Sequence, residues 1–307
     1  MTDPNALSLN DLYTALTADG LTARLFRLAR AEDLGPNNTD ATTSAMRIGE
    51  QSIHTAIVAR ATGITAGLNA LDDLLQVFAP NASCTLRTND GATFQSGDTL
   101  ATLDGPANEV LALERTLLNL LSRLSGIATL TNQYVDAVKH TEARILDTRK
   151  TTPGWRALEK YAVRCGGGHC HRMGLHDAVL IKDNHLALAN KQSDDLSRTL
   201  RDAANRAHAA GDPSFVEVEV DTLDQLKQVL SIDPGLIDIV LLDNMPLNML
   251  TEAVAMRDAS APSLLLEASG GITLDSIASI ASTGIDRISI GALTHQAVSI
   301  DIALDTI

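Results

Sequence analysis

The sequence predicts an α/β protein: an α+β unit of about a hundred residues, then a parallel sheet built from six strand–helix repeats, an incomplete barrel. Three observations predict it. Six short apolar runs recur after residue 143, at spacings of about 25–37 residues. Helix-length segments separate most of them, which is the rhythm of parallel strands with outer helices. Finally, 307 residues with 45% hydrophobic content suffice for one large barrel-like domain or two smaller ones.

The N-terminal unit reads as follows. Residues 9–33 form two amphipathic helical segments, the second being LTARLFRLARAEDL. SIHTAIVARATG predicts a strand and AGLNALDDLLQVFA a helix. CTLRTND and TLATLDG predict short strands with a Gly-Asp turn signal between them. A helix follows over about 107–124. Its leucines at 111, 117, 118, 120, 121 and 124 make more than one face apolar, so it is expected to be buried between domains or subunits.

The six later runs are ARILDT, DAVLIKD, SFVEVEV, DIVLLDN, SLLLEAS and RISIGAL. Each finishes in polar or glycine residues. The first ends in Asp147, Thr148, Arg149 and Lys150, the second in Lys182, Asp183, Asn184 and His185. The third carries Glu217 and Glu219, and the fourth ends in Asp243 and Asn244. The fifth holds Glu267, Ser269, Gly270 and Gly271, and the sixth Gly291. C-terminal strand ends share one face of a parallel barrel, where active sites sit.

Charge narrows the ligand. The chain carries a net −14, yet residues 144–182 hold eight Lys/Arg against Asp147, Glu159 and Asp177, a local net of +5. A basic island in an acidic chain implies a small anion in a focused pocket. Nucleic acid would demand a broadly basic surface, and 3% aromatic content offers few stacking platforms. No apolar run is long enough to span a membrane, and the N-terminus lacks a secretory pattern. Three cysteines do not make a disulfide framework, so a reducing cytoplasm is expected.

Candidate ligand groups follow from the strand ends. Arg149, Lys150, Arg172 and Lys182 suit carboxylates and phosphates, through planar forks and point charges. Glu219 and Asp243, on adjacent runs, suit Mg²⁺, which takes a few carboxylates plus phosphate oxygens and waters. Glu217 points to the same side of its strand as Glu219, and the pattern leaves open which reaches the ligand. Ser269-Gly270-Gly271 and Gly291-Ala292 fit backbone phosphate cradles. Cys165, His169, Cys170, His171 and His176 are close enough to raise a zinc reading, but no CxxC pair is present. Gly166–Gly168 instead reads as a loop for close ligand approach, and no base is identifiable to activate Cys170.

These residues resemble the quinolinate phosphoribosyltransferase family. The shared motifs are EDLGPNNTDATT, ERTLLNLLSRLSGIAT, DTRKTTPGWRALEKYAV, GGGHCHRMGL, LIKDNH, VEVEVDT, LLDN, LEASGG and GALTH, in family order over nearly the whole chain. The resemblance implies Mg²⁺-dependent transfer from phosphoribosyl pyrophosphate to quinolinate, with release of pyrophosphate and CO₂. It implies an N-terminal α/β sandwich over residues 1–117, an open α/β barrel of six or seven strands over 118–292, and a tail, 293–307, packing back on the first domain. It also implies a homodimer or larger assembly in which Arg115 reaches the neighbouring active site. By motif position Arg149, Arg172 and Lys182 resemble the residues that grip the quinolinate carboxylates, with His171 beside them and Thr148 among the substrate-binding residues, and Lys150 resembles the pyrophosphate contact. Glu219 and Asp243 resemble the ribose and Mg²⁺ carboxylates. Ser269, Gly270, Gly271, Ile290, Gly291 and Ala292 resemble the phosphate loops. Cys170 stands where many members carry Asn or Ser, and Pro36-Asn37-Asn38 replaces a more usual Gly-Asp turn.

Two rivals compete with this reading. One is a paralogous phosphoribosyltransferase of the type associated with molybdate transport, using another acceptor. The other is a non-catalytic anion-binding barrel. Arg172 with Lys182, which suit a dicarboxylate, oppose the first. Carboxylates Glu219 and Asp243 oppose the second, because a pure anion binder gains nothing from them.

Overall fold

The computed structural model describes residues 3–189, 195–211 and 213–307. Twelve strands are named among them. They are β1 (Ser52–Ala59), β2 (Gly63–Ile64), β3 (Ser83–Leu86), β4 (Thr93–Phe94), β5 (Thr99–Pro106), β6 (Arg144–Leu146), β7 (Val179–Ile181), β8 (Val216–Val220), β9 (Ile239–Asp243), β10 (Leu265–Ser269), β11 (Arg287–Ser289) and β12 (Ile302–Thr306).

The chain divides into two units. One takes in Pro4–Asn132, Lys150–Gly168 and Ala292–Ile307; the other takes in Gln133–Arg149 and His169–Gly291. This division differs from the sequence expectation of a boundary at 117/118. Ala107–Val138 is one continuous helix, longer than the 107–124 segment the leucines predict. Gly126 lets it continue under the C-terminal tail: a Cβ there would lie 2.1 Å from the Val298 carbonyl oxygen.

The first unit contains a four-stranded antiparallel sheet ordered β12–β1–β5–β3. The helix Leu71–Phe78 buries Leu71, Leu74, Leu75 and Phe78, the apolar positions of its amphipathic pattern. Gly166 and Gly168 correct one expectation. Cβ atoms there would meet the Ala128 carbonyl at 2.3 Å and the Val163 Cγ1 at 2.7 Å. These two glycines permit helix packing in this unit rather than approach of a ligand.

The second unit is a six-stranded parallel sheet ordered β6–β11–β10–β9–β8–β7. All six predicted runs form its strands, and the sheet is open rather than a closed barrel. His169 adds a one-residue parallel bridge to Leu146 on the free edge of β6. Register places Glu219 beside Leu241, Leu241 beside Glu267, and Glu267 beside Arg287. Asp243 lies beside Ser269, and Ser269 beside Ser289. Paired residues and residues two apart share a face, so Glu217, Glu219, Asp243, Glu267, Ser269 and Arg287 lie together on one face. Val216, Val218, Val220, Val240, Leu242, Leu266, Ala268 and Ile288 cover the other and are buried. A parallel sheet is usually apolar on both faces. Here one face carries charge, which singles it out as the working face.

Candidate active site

The charged face is built around His171. Its Nε2 lies 3.0 Å from Glu217 Oε2 and 3.2 Å from Glu267 Oε1. Glu267 Oε2 accepts from Arg287 Nε at 2.7 Å. The ring meets Phe215 edge-on at 5.3 Å, and the Arg287 guanidinium lies over the same phenyl ring at 5.7 Å. Both glutamates are fully buried and His171 nearly so.

Proton affinities here reflect competition between burial and charge. Burial drives Glu267 up, but His171 and Arg287 outweigh it and hold its carboxyl at about 2. Burial pushes the Glu217 carboxyl up, and the Glu267 charge beside it pushes it further. Burial lowers the imidazole, while the charges of Glu267 and Glu217 oppose this and would hold it protonated to about 10. A hydrogen bond decides the tautomer: the Arg172 backbone N–H donates to His171 Nδ1 at 2.7 Å. That contact leaves Nε2 as the ring nitrogen that donates toward the two carboxylates. Ligand atoms of His171, Glu217 and Glu267 lie within 4.8 Å of one another, a spacing a metal could use. Arg287 and the imidazole Nε2 already face these carboxylates.

His171 in turn sets its neighbours. Its backbone N–H donates to Asp147 Oδ1 at 2.8 Å, and the Asp147 N–H donates to the His169 carbonyl at 3.1 Å. Asp177 accepts from the Met173 and Gly174 N–H groups at 2.7 and 2.8 Å. These bonds pin the chain on both sides of Arg172 and just before Arg149. The Arg172 guanidinium is pushed below its usual range, first by burial and then by the Arg149 charge. Two guanidiniums are thus held close enough to repel, with Arg172 largely buried. Thr148 lies between Asp147 and Arg149, half-buried.

Lys182 follows β7, and its Nζ pairs with Glu219 Oε2. Asp243 is one strand away from Glu219 and one pleat further along the same face, half-buried, with Oδ2 accepting from Asn244 Nδ2 at 2.8 Å. Ser269–Gly271 forms a tight rim loop. Gly270 and Gly271 have φ of +95° and +61°, and a Cβ on Gly270 would stand 2.2 Å from Asn244 Oδ1. The Asn244 N–H donates to the Ser269 carbonyl at 2.9 Å, so the two rim loops interlock. Ile290 donates its N–H to the Leu146 carbonyl at 3.0 Å, which fixes the approach to Gly291.

Arg115, Lys150 and Ala292 fall in the other unit. Arg115 is exposed on its helix, beside a cleft of about 420 Å³ shared with Asn119, Ser122 and the tail at Ser299–Ile302. The Lys150 carbonyl accepts from Thr294 Oγ1 at 2.6 Å. Of the Cys/His set, only His171 joins a group of potential metal ligands among the described residues.

Sequence reasoning did not assign Glu267, Arg287, Asp147 or Asp177 to the site, and left Glu217 open. The available signal was alternation: VEVEV puts charge on every second residue of a run whose other positions are all valine.

Comparison with known proteins returns two family models. Residues 40–125 match the N-terminal domain and residues 127–305 the C-terminal domain of quinolinate phosphoribosyl transferase. A Mycobacterium leprae protein named nicotinate-nucleotide pyrophosphorylase [carboxylating] is 45% identical, over 91% of this chain and 95% of its own length. A Bacillus subtilis protein named as a probable enzyme of the same kind is 40% identical, over 89% of each chain. The solved nicotinate-nucleotide pyrophosphorylase of Francisella tularensis superposes with a TM-score of 0.82 at 34% identity, covering all of both chains.

Proposed function

The chain belongs to the quinolinate phosphoribosyltransferase family and transfers the phosphoribosyl group to quinolinate, with decarboxylation, in NAD biosynthesis; we propose which of its residues carry that reaction. The observation that supports the assignment best is the close pair Arg149 and Arg172. Buried Arg172 and half-buried Arg149 bring like charges together, and an anion between them relieves the repulsion. Quinolinate brings two adjacent carboxylates, and each guanidinium offers a planar fork to one of them. Thr148, His171 and Lys182 complete that acceptor site.

Lys182 is paired with Glu219. A quinolinate carboxylate competes for the ammonium, and Glu219 is then released toward the donor ribose. Glu219 and Asp243 offer hard oxygen donors on one face, the set that Mg²⁺ prefers, and they would hold it. Bound there, Mg²⁺ would supply charge neutralisation for the departing pyrophosphate. Lys150 contacts that pyrophosphate. The loops Ser269–Gly271 and Ile290–Ala292 take the donor's phosphate through backbone N–H groups. Both substrates are anionic, and the cations offset the repulsion of bringing them together.

As the ribose C1–O bond to pyrophosphate breaks, the pyridine nitrogen forms a bond to C1. The ring nitrogen becomes cationic. When the bond from ring carbon 2 to its carboxylate then breaks, the electron pair is stabilised by that nitrogen, CO₂ departs, and a proton fills the carbon. The protein contributes orientation and electrostatics, with no acid–base triad. We read Arg115 as entering the site of a second copy in a homodimer or larger assembly, which its exposure supports. The three cysteines, none in a disulfide among the described residues, favour a reducing, cytoplasmic setting.

Steady-state assays of Arg172→Ala and Arg172→Lys test the acceptor site. Losing a charge-assisted contact costs about 2–4 kcal/mol, roughly a 30- to 1000-fold fall in kcat/KM for quinolinate. Lys lacks the fork and should rescue only in part. Near-wild-type kcat/KM in Arg172→Ala would remove Arg172 from the site.

A further inference from the structure

We infer that Glu159 and Arg123 are positioning residues for the donor: they form a closed brace that fixes the Lys150–Thr152 backbone and so the reach of the Lys150 ammonium. The inference rests on the proposed role of Lys150 at the pyrophosphate.

The brace is visible bond by bond. Glu159 is fully buried in the first turn of the helix Arg156–Cys165. Its Oε1 accepts from Thr152 Oγ1 at 2.9 Å and its Oε2 from the Thr152 N–H at 3.1 Å. Arg123 Nη2 donates to Glu159 Oε1 at 3.2 Å and also to the Thr294 carbonyl. Arg123 Nη1 donates to the Ala297 carbonyl at 2.7 Å. Buried Thr294 closes the ring, because its Oγ1 donates to the Lys150 carbonyl at 2.6 Å. Thr151 has its own anchor, Arg156 Nε donating to its Oγ1 at 3.1 Å. Beyond it Thr152–Trp155 makes a type II turn: Pro153 presets one central residue, Gly154 supplies φ of +82°, and the Trp155 N–H donates to the Thr152 carbonyl at 3.0 Å.

A plain helix-start role would explain only the Glu159–Thr152 bonds. It leaves Arg123 and Thr294 unexplained, since both sit on other segments: Arg123 joins Glu159 to Thr294, and Thr294 reaches Lys150. Lys150, Thr152, Pro153 and Gly154 are exposed, yet the groups holding them are buried. Rigid support under an exposed cationic loop is the arrangement that positions a reacting group, where small misplacements are costly.

The test uses the full-length enzyme with separate KM values for the two substrates. Thr294→Val removes only the hydroxyl, and Glu159→Gln turns an acceptor toward its donors. Each should raise KM for phosphoribosyl pyrophosphate by about tenfold or more and leave KM for quinolinate within about twofold. Thr294→Ser keeps the hydroxyl and should restore the wild-type value. If either variant moved both KM values together, or if Thr294→Val and Thr294→Ser behaved alike, the brace would be merely structural. Should Glu159→Gln fail to fold, the Thr294 pair decides alone. Lys150→Ala separates the two levels of argument. No change in donor KM there overturns the role of Lys150 itself. A raised donor KM in Lys150→Ala, with wild-type values in Thr294→Val, overturns the brace only.

Discussion

Replacing Arg287 by methionine removes a charge while keeping a long apolar stem. Glu267 is then a fully buried carboxylate that has lost its 2.7 Å partner. Breaking such a pair costs about 3–5 kcal/mol. The structure sets a ceiling on the electrostatic part, because the carboxyl can escape by taking up a proton. Neutralising an acid with an ordinary pKa near 4.3 at pH 7 costs about 3.7 kcal/mol, from roughly 1.36 kcal/mol per unit. At pH 5 the same step costs only about 1 kcal/mol.

The sign follows from linkage. In the wild type Glu267 is depressed to about 2, so its contribution is complete above the unfolded value and is lost only as pH falls toward 2. Wild-type Glu267 therefore adds no slope between pH 7 and 5. Removing Arg287 leaves burial opposed by His171 alone; the prediction is that the folded pKa then rises above the unfolded one, so that the deficit grows as pH climbs from 5 to 7. Urea unfolding at both pH values should show the variant losing about 4 kcal/mol at pH 7 and markedly less at pH 5. An equal deficit at both would show that Arg287 acts by packing on Phe215 and not by neutralising Glu267.

Gly270→Ala forces a Cβ to 2.2 Å from Asn244 Oδ1 at φ of +95°; a stability loss of about 1–3 kcal/mol and a raised donor KM are expected, measured by thermal unfolding and kinetics. Asp243→Asn should raise the Mg²⁺ concentration for half-maximal activity by about tenfold, read by titrating Mg²⁺ at fixed donor. An unchanged Mg²⁺ requirement would take Asp243 out of the metal site.

The strands of the parallel sheet were legible because each apolar run is short, β-branched or leucine-rich, and ends in turn or polar residues. The six runs at 143–293 all form strands of that sheet. The full length of Ala107–Val138 was not legible, since the leucine pattern ends at Leu124 and Gly126 is explained only by the Val298 backbone packed against it. Gly166–Gly168 misled for the same reason: a glycine reports that something comes close, not whether it is ligand or protein. The rim cations could be named from charge and position. Their supports could not, because Asp147 and Asp177 act through backbone N–H groups that no side-chain motif encodes. Glu267 and Arg287 are twenty residues apart, and only the β10–β11 register makes them neighbours.

That register also explains how a charged face survives inside a parallel sheet. Desolvating Glu217, Glu267 and Arg287 together is costly, and an apolar trio of similar volume would often be as stable or more so. Charge balance limits the cost: His171 and Arg287 both face Glu267, and His171 also faces Glu217. What the polar set adds is direction. Nε2 of His171 faces the carboxylates, which leaves Nδ1 to receive the Arg172 N–H, and the two ring nitrogens thereby orient the backbone at the arginine. An apolar core would hold His171 by shape alone, and a ring held by shape can flip. Two buried glutamates facing Nε2, with the Arg172 N–H at Nδ1, fix the ring's orientation, so Arg172 is held in place before its anion arrives.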